Sequence, residues 1–238
     1  MRPLSLTTPP GRPLSVLVVG AHPDDIEIGA GGTLLGLAAD QPGLRAYYLV
    51  LTGSPDRQLE ARDAARAFLP GADLTVQLED LAEGRLPARR DQVKEVLEGV
   101  ARNYAPDLVI GPQASDAHQD HRTIAEILPT VFRDQLTLGY EIPKWDGDVS
   151  RPTMYFPLSA DSLQRKVDLL HKCFPSQHRR DWWDDDVFRG LARLRGMECR
   201  APFAEAFSCF KVVIHSRPAE QRPPSAGRPR GLETGDSH

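Results

Sequence analysis

The sequence predicts an α/β fold: a Rossmann-like, mostly parallel sheet with helices on both faces and an active site at its carboxyl edge. Three observations carry that expectation. Short apolar, β-branched runs alternate with segments of helical period at a steady pace, which is the signature of βαβ units. The chain has 238 residues, a length that suits one α/β domain with a full core. Two of the apolar runs end in clusters of His and Asp, and open α/β sheets place their ligand sites beyond the carboxyl ends of strands.

The elements follow in order. Residues 1–13 carry four prolines and little periodicity, and are read as a flexible N-terminal arm. "LSVLVVG" (14–20) reads as a buried strand, "GGTLLGLAADQ" (31–41) as a helix and "LRAYYLVLTG" (44–53) as a second strand. In "DRQLEARDAARAFL" (56–69), Leu59, Ala61, Ala64, Ala65 and Phe68 recur near helical spacing. "ADLTVQL" (72–78) is a short strand, "RRDQVKEVLEGVARNY" (89–104) an amphipathic helix and "PDLVIGP" (106–112) another apolar strand. "HRTIAEIL" (121–128) follows as a helix. After about residue 136 the alternation loosens. "TLGYEIPKW" (137–145) and "TMYFPLS" (153–159) read as short strands around a loop with Asp146, Gly147 and Asp148. Residues 160–174 and 186–197 read as helices, and "AEAFSCFKVVI" (204–214) as a late strand. Residues 14–215 are therefore taken as one domain. Residues 216–238 hold four prolines, three glycines and almost no apolar bulk, and are expected to be a disordered tail.

Bulk properties narrow the function classes. The formal net charge of −4 argues against a nucleic-acid partner. No window approaches eighteen consecutive apolar residues, so no membrane span is expected. The N-terminus lacks an apolar signal core. Cys173, Cys199 and Cys209 are few, odd in number and without metal-like spacing, which fits reduced thiols in a cytoplasmic protein. The sequence leaves the oligomeric state open and admits a homo-oligomer.

Chemistry concentrates in two stretches. "AHPDDIEIGAGGT" (21–33) places His22, Asp24 and Asp25 directly after the first strand. Three carboxylate and imidazole groups at a strand end are costly to bury unless something neutralises them. A histidine and the second aspartate could bind a metal, with the first aspartate left beside it. "SDAHQDHRT" (115–123) follows the strand 106–112 and brings His118 and His121, three residues apart. If His121 sits in a first helical turn, the helix dipole disfavours imidazolium and leaves the neutral ring that a metal needs. A His₂Asp set with open positions suits catalytic zinc, and ferrous iron fits the same ligands. The glycines of "GAGGT" lack GxGxxG spacing and a GK[ST] lysine, so a nucleotide loop is disfavoured, and close packing or a tight turn before the helix is the better reading. In "RRDWWDDDVFRG" (179–190), Trp182 and Trp183 read either as a sugar-stacking lid or as core anchors. Arg179, Arg180 and Arg189 would either meet an anionic substrate group or pair with the neighbouring aspartates.

"AHPDDIEIGAGGT" and "HQDHR" together resemble the two signatures of the PIG-L/LmbE-like zinc-dependent N-deacetylases. The likeness extends over about residues 14–213. It takes in "RQLEARDAA" with Arg57 and Glu60, "EDLAEGRL" near Asp80, Ser176–Gln177 and "FAEAF" (203–207). One common form of the first motif reads AHPDDE; here Ile26 follows Asp25 and the glutamate is Glu27. The resemblance implies that His22, Asp25 and His121 bind the metal, that Asp24 is the general base, and that His118 is an acid or an oxyanion stabiliser. It further implies that Asp120 orients a histidine and that Arg57 and Asp80 contact the sugar. The activity implied is removal of an acetyl group from an N-acetylhexosamine-type substrate (a sugar, glycolipid or glycoconjugate), releasing acetate and a free amine. The alternatives are an amidase acting on a larger acyl or thiol conjugate, and a non-catalytic sugar- or nucleotide-binding module. Asp24 discriminates against the module, which has no need of a base beside two ligands.

Overall fold

Ser15–Gly20 forms strand β1, and all six of its residues are buried. Its side chains alternate between two apolar cores: Val16 and Val18 join one, Leu17 and Val19 the other. That alternation is the period-2 pleat of a strand covered on both faces. β2 (Arg45–Thr52), β3 (Asp73–Leu81), β4 (Leu108–Pro112) and β5 (Leu136–Tyr140) complete a parallel set. β6 (Met154–Leu158) and β7 (Phe203–Cys209) extend it to a seven-stranded sheet in the order β3-β2-β1-β4-β5-β7-β6. The late strand β7 runs antiparallel to both its neighbours and separates β5 from β6. It ends at Cys209, five residues short of the predicted end, and residues 210–214 continue exposed. The computed structural model describes residues 2–214.

Six α-helices cover the sheet. α1 (Asp25–Asp40), α2 (Pro55–Phe68), α5 (Ala160–Cys173) and α6 (Asp185–Cys199) contribute to one core; α3 (Arg90–Asn103) and α4 (Gln119–Val131) to the other. The helix predicted at 31–41 begins six residues earlier, at Asp25. Glycine-rich sequence has poor helix propensity, and here packing overrides it. A Cβ on Gly29 would lie 2.4 Å from the Tyr140 ring, and one on Gly32 2.6 Å from Leu158. The glycines therefore let α1 press directly onto β5 and β6, which is the close-packing role read from the sequence.

A buried ion pair splints α1 in its middle. Lys166 of α5 donates to the Ile28 carbonyl at 2.7 Å and to Glu205 Oε1 at 2.6 Å. Glu205 accepts in turn from the backbone N–H groups of Gly32 and Thr33, at 2.8 and 2.6 Å. The "FAEAF" glutamate thus satisfies backbone groups of a helix that the side chain of Lys166 has entered. Residues 2–13 contain no helix or strand, although Arg12 clamps Asp107 with two hydrogen bonds of 2.9 and 2.7 Å. The tail expected at 216–238 lies outside the described residues. No helix among those described is long and apolar enough to cross a membrane.

Candidate active site

β1 and β4 are neighbours. The chain leaves β1 for β2 and β3 on one side, and leaves β4 for β5 on the other. This change of direction opens a crevice at the carboxyl edge. The turn after β1 delivers His22, Asp24 and Asp25, and the loop between β4 and α4 delivers Asp116, His118, Asp120 and His121. Residues 91 or more apart in sequence thereby face one another.

Three atoms make a compact triangle. His22 Nδ1 lies 3.3 Å from Asp25 Oδ2, His121 Nε2 lies 3.2 Å from the same oxygen, and the two ring nitrogens are 3.3 Å apart. One face of a tetrahedron around zinc, at ligand distances near 2.0–2.1 Å, has edges of about 3.3 Å. The set of two imidazoles and one carboxylate therefore fits a divalent ion without rearrangement. The three imidazoles of His22, His118 and His121 also form a wider cluster able to hold a metal, their ligand atoms all within 4.8 Å of one another. Asp25 Oδ2 is fixed from behind by the backbone N–H groups of Ala21 and His22, at 2.9 and 2.8 Å.

Each imidazole of the triangle is held at its far nitrogen by a carboxylate. Asp120 Oδ2 lies 3.2 Å from His22 Nε2, so the structure places it against one of the histidines. Asp120 is itself held by the N–H groups of Gly84 and Leu86. Asp116 Oδ2 lies 3.0 Å from His121 Nδ1 and plays the same part for the second ring. Sequence reasoning missed Asp116, although it stands inside the quoted "SDAHQDHRT" stretch and is one of the two carboxylates at that strand end. Its other oxygen accepts from the His118 N–H at 2.7 Å and lies 3.0 Å from Lys144 Nζ. Carboxylates behind ligating imidazoles fix ring orientation and raise ligand basicity.

Asp24 is 6% exposed and caps the N-terminus of α1 at φ 103°, a left-handed conformation that costs a non-glycine residue about 1–3 kcal/mol. Arg57 of α2 holds it there: its Nη2 donates to Asp24 Oδ2 at 2.8 Å and also to the Pro23 carbonyl. Burial pushes the Asp24 carboxyl up to about 7 against the pull of Arg57. Asp25 behaves oppositely: burial opposes its charge, but His121 and His22 hold it well below the usual carboxylate range.

Burial also opposes charge on His22 and His121, yet the surrounding carboxylates, Asp25 foremost, raise them to about 10 and about 9. The neutral His121 expected from the helix dipole is thus overridden by Asp25 and Asp116, since whole charges at 3 Å outweigh a half-charge helix terminus. His118 is the N-cap of α4, in extended rather than helical conformation, with its Nδ1 accepting the Asp120 N–H at 3.2 Å. The neutral ring therefore carries its proton on Nε2.

The cleft encloses about 200 Å³. It is lined by the three histidines, the two aspartates and Arg57, and by Ile142, Lys144, Trp145, Gln177, Arg180 and Trp182, of which Trp145 is exposed at the mouth. Asp80 is exposed on β3 and is not among the lining residues; Glu83, in the following loop, is. Glu60 accepts from the N–H and hydroxyl of Ser176, which sets the buried Gln177 into the wall. The RxxE spacing thus lets one helix clamp both Asp24 and the Ser176–Gln177 turn. Of the two tryptophans, Trp183 is a core anchor, and Trp182 lines the cleft.

A mostly parallel sheet brings two imidazoles and one carboxylate together at its switch point, beside a strained second carboxylate, in a cluster able to hold a metal ion. Residues 17–132 match the family model described as PIG-L, GlcNAc-PI de-N-acetylase. The chain is 30% identical over 219 residues to the diacetylchitobiose deacetylase of Thermococcus kodakarensis, covering 80% of each. It is 32% identical over 141 residues to the uncharacterized deacetylase YaiS of Escherichia coli, covering 54% of this chain and 74% of that one. Among solved structures, the conserved protein TT1542 from Thermus thermophilus superposes with a TM-score of 0.70 at 24% identity, over 85% of this chain and 97% of that one. The same fold also carries a 4-carboxy-2-hydroxymuconate hydratase from a pseudomonad, with a TM-score of 0.69 at 16% identity over 87% of this chain and all of that one, so fold alone does not choose the reaction. The chain belongs to the PIG-L family of de-N-acetylases, and is a hydrolytic N-deacetylase.

Proposed function

We propose that this deacetylase removes the acetyl group from an N-acetylhexosamine-type substrate, a sugar or glycoconjugate, with zinc held by His22, Asp25 and His121. The observation that carries the reading is the triangle of ligand atoms with edges of 3.2–3.3 Å, beside a carboxylate that binds nothing but Arg57 and sits near neutrality. When bound, a divalent ion acidifies a water and polarises the acetamide carbonyl. Asp24, held by Arg57 beside the three ligand atoms, would be the carboxylate that accepts the proton of the attacking water. Arg57 keeps Asp24 aimed. Asp120 and Asp116 hold the two ligating rings. His118, with Nδ1 accepting from Asp120 N–H, offers its Nε2–H to the carbonyl oxygen, which makes it an oxyanion stabiliser before it is an acid.

Arg57 also lines the cleft and is within reach of a sugar hydroxyl; Asp80 is not, and the corresponding contact passes to Glu83. Zinc is preferred over ferrous iron because tetrahedral edges fit the triangle. We place the protein in the cytoplasm on its thiol content. The test is acetate release from a panel of N-acetylglucosamine derivatives, before and after chelation and with zinc or ferrous iron restored. Acetate released only with metal present supports the reading. Cleavage of larger acyl groups in preference to acetyl would favour the broader amidase, and binding without turnover a recognition module.

A further inference from the structure

The cleft is small, even with Trp145 and Trp182 counted among its walls. Pockets that enclose a drug-sized ligand run to roughly 300–1,000 Å³, and this one encloses about 200 Å³. Whatever is attached to the deacetylated ring must leave the cleft at its mouth, where Trp145 is exposed. The three indoles there form a graded stack. Trp183 is 6% exposed, packs edge-to-face on Phe174 and Phe188, and donates its Nε1–H to His171 Nδ1 at 3.2 Å. Trp182 lies against Trp183 with ring centres 5.7 Å apart. Trp145 meets Trp182 edge-to-face at 6.3 Å and 82°, yet is 66% exposed.

An indole left two-thirds exposed at the mouth of a cleft covers no core, so its packing is not what holds it there. Its support is supplied from below: a buried ring carries a half-buried ring, which props an open one. Charged groups rim the same mouth, with Arg180 and Glu83 among the lining residues and Asp146 beside Trp145. An aromatic plane bordered by hydrogen-bonding side chains matches a pyranose, which has an apolar C–H face and polar hydroxyls around its edge. It matches an alkyl chain poorly, because the apolar surface ends after two rings. The loop that carries Trp145 is anchored near the chemistry, since the preceding Lys144 lies 3.0 Å from Asp116 and 2.6 Å from Asp148.

We propose that Trp145, propped by Trp182, is the stacking platform for a second sugar ring, and that the enzyme selects N-acetylhexosamine units carried in an oligosaccharide over the free monosaccharide. The proposal rests on the deacetylase reading above. Trp145 is the contacting residue, and Trp182 is a positioning residue that acts through it.

The test compares kcat/KM for N,N'-diacetylchitobiose, N-acetylglucosamine and octyl N-acetylglucosaminide on the metal-loaded protein and its Trp145→Ala, Trp145→Phe and Trp182→Ala variants. The wild type is expected to prefer the disaccharide. Trp145→Ala should collapse the disaccharide-to-monosaccharide ratio by about tenfold, the equivalent of about 1.4 kcal/mol, chiefly through KM. Trp145→Phe should restore most of the ratio, and Trp182→Ala should reproduce the loss in weaker form. Equal losses on both sugars, an unchanged ratio, or a wild type without preference would overturn the platform. So would an octyl preference exceeding the disaccharide's and lost in Trp145→Ala, which would make the occupant a lipid. If the sugars are turned over while the ratio ignores Trp145, the platform fails and the deacetylase reading stands. If no acetamidosugar is turned over, both fail.

Discussion

Asp24 and Asp25 are adjacent carboxylates with opposite fates. Asp25 accepts two backbone N–H groups and faces two imidazoles, so it stays charged; Asp24 is buried against a single guanidinium and hovers near neutrality. The left-handed backbone at Asp24 is what separates the two directions. The facing nitrogens of His22 and His121 are 3.3 Å apart, and both lie within 3.3 Å of Asp25 Oδ2. Binding of zinc at pH 7 should expel at least one proton, measurable by calorimetry in buffers of different ionisation enthalpy; no proton release would contradict the ligand assignment. The pH dependence has a defined sign. The folded values of about 10 and about 9 lie above the unfolded imidazole value of about 6.5. Their contribution to the stability of the ion-free fold is therefore complete below pH ~6.5 and is lost as pH rises through 9–10. Thermal melts of chelator-treated protein across that range should show it. His118 offers a contrast: His118→Ala should keep bound metal and lower turnover by about 10²–10⁴, whereas His121→Ala should lose the metal. Equal metal loss in both would make His118 a ligand of the wider imidazole cluster.

At the scale of elements, α1 is the part most constrained by its neighbours. Gly29→Ala would drive a methyl into Tyr140, whose hydroxyl is already committed to the Val19 carbonyl at 2.9 Å. A cost of about 1–3 kcal/mol is expected from such overpacking, read as a shifted denaturant midpoint with unchanged slope. Glu205→Gln leaves Lys166 buried without its counter-charge and should cost more, about 3–5 kcal/mol. A Glu205→Gln protein of wild-type stability would show that the pair does not splint the helix. The start of α1 was not legible in the sequence for the same reason. Three glycines read as a loop until β5 and β6 are placed against them, and only tertiary packing supplies that information. Strands β1 and β4 were legible to within a residue or two, because a buried parallel strand is a continuous apolar run bounded by turn residues.

For the molecule as a whole, the switch point between β1 and β4 explains why two motifs distant in the chain make one site. The residues His22, Asp25, His121, Asp120 and Arg57 were singled out from those motifs, but the contact of Arg57 with Asp24 was not. Asp116, Lys144 and Glu83 were missed as well, since their placement depends on loop paths. β7 between β5 and β6 was equally hidden, as pairing order leaves no trace in periodicity. Composition still argues that residues beyond Ser216 add little, so a chain ending there should melt and turn over as the full chain does. The account stands or falls on Asp24 as the base. Asp24→Asn keeps the shape and the ligands while removing the basicity. In metal-loaded protein, the rate of acetate release should fall by about 10²–10⁴, with stoichiometric metal retained and KM little changed. Near-wild-type acetate release with metal bound would contradict it.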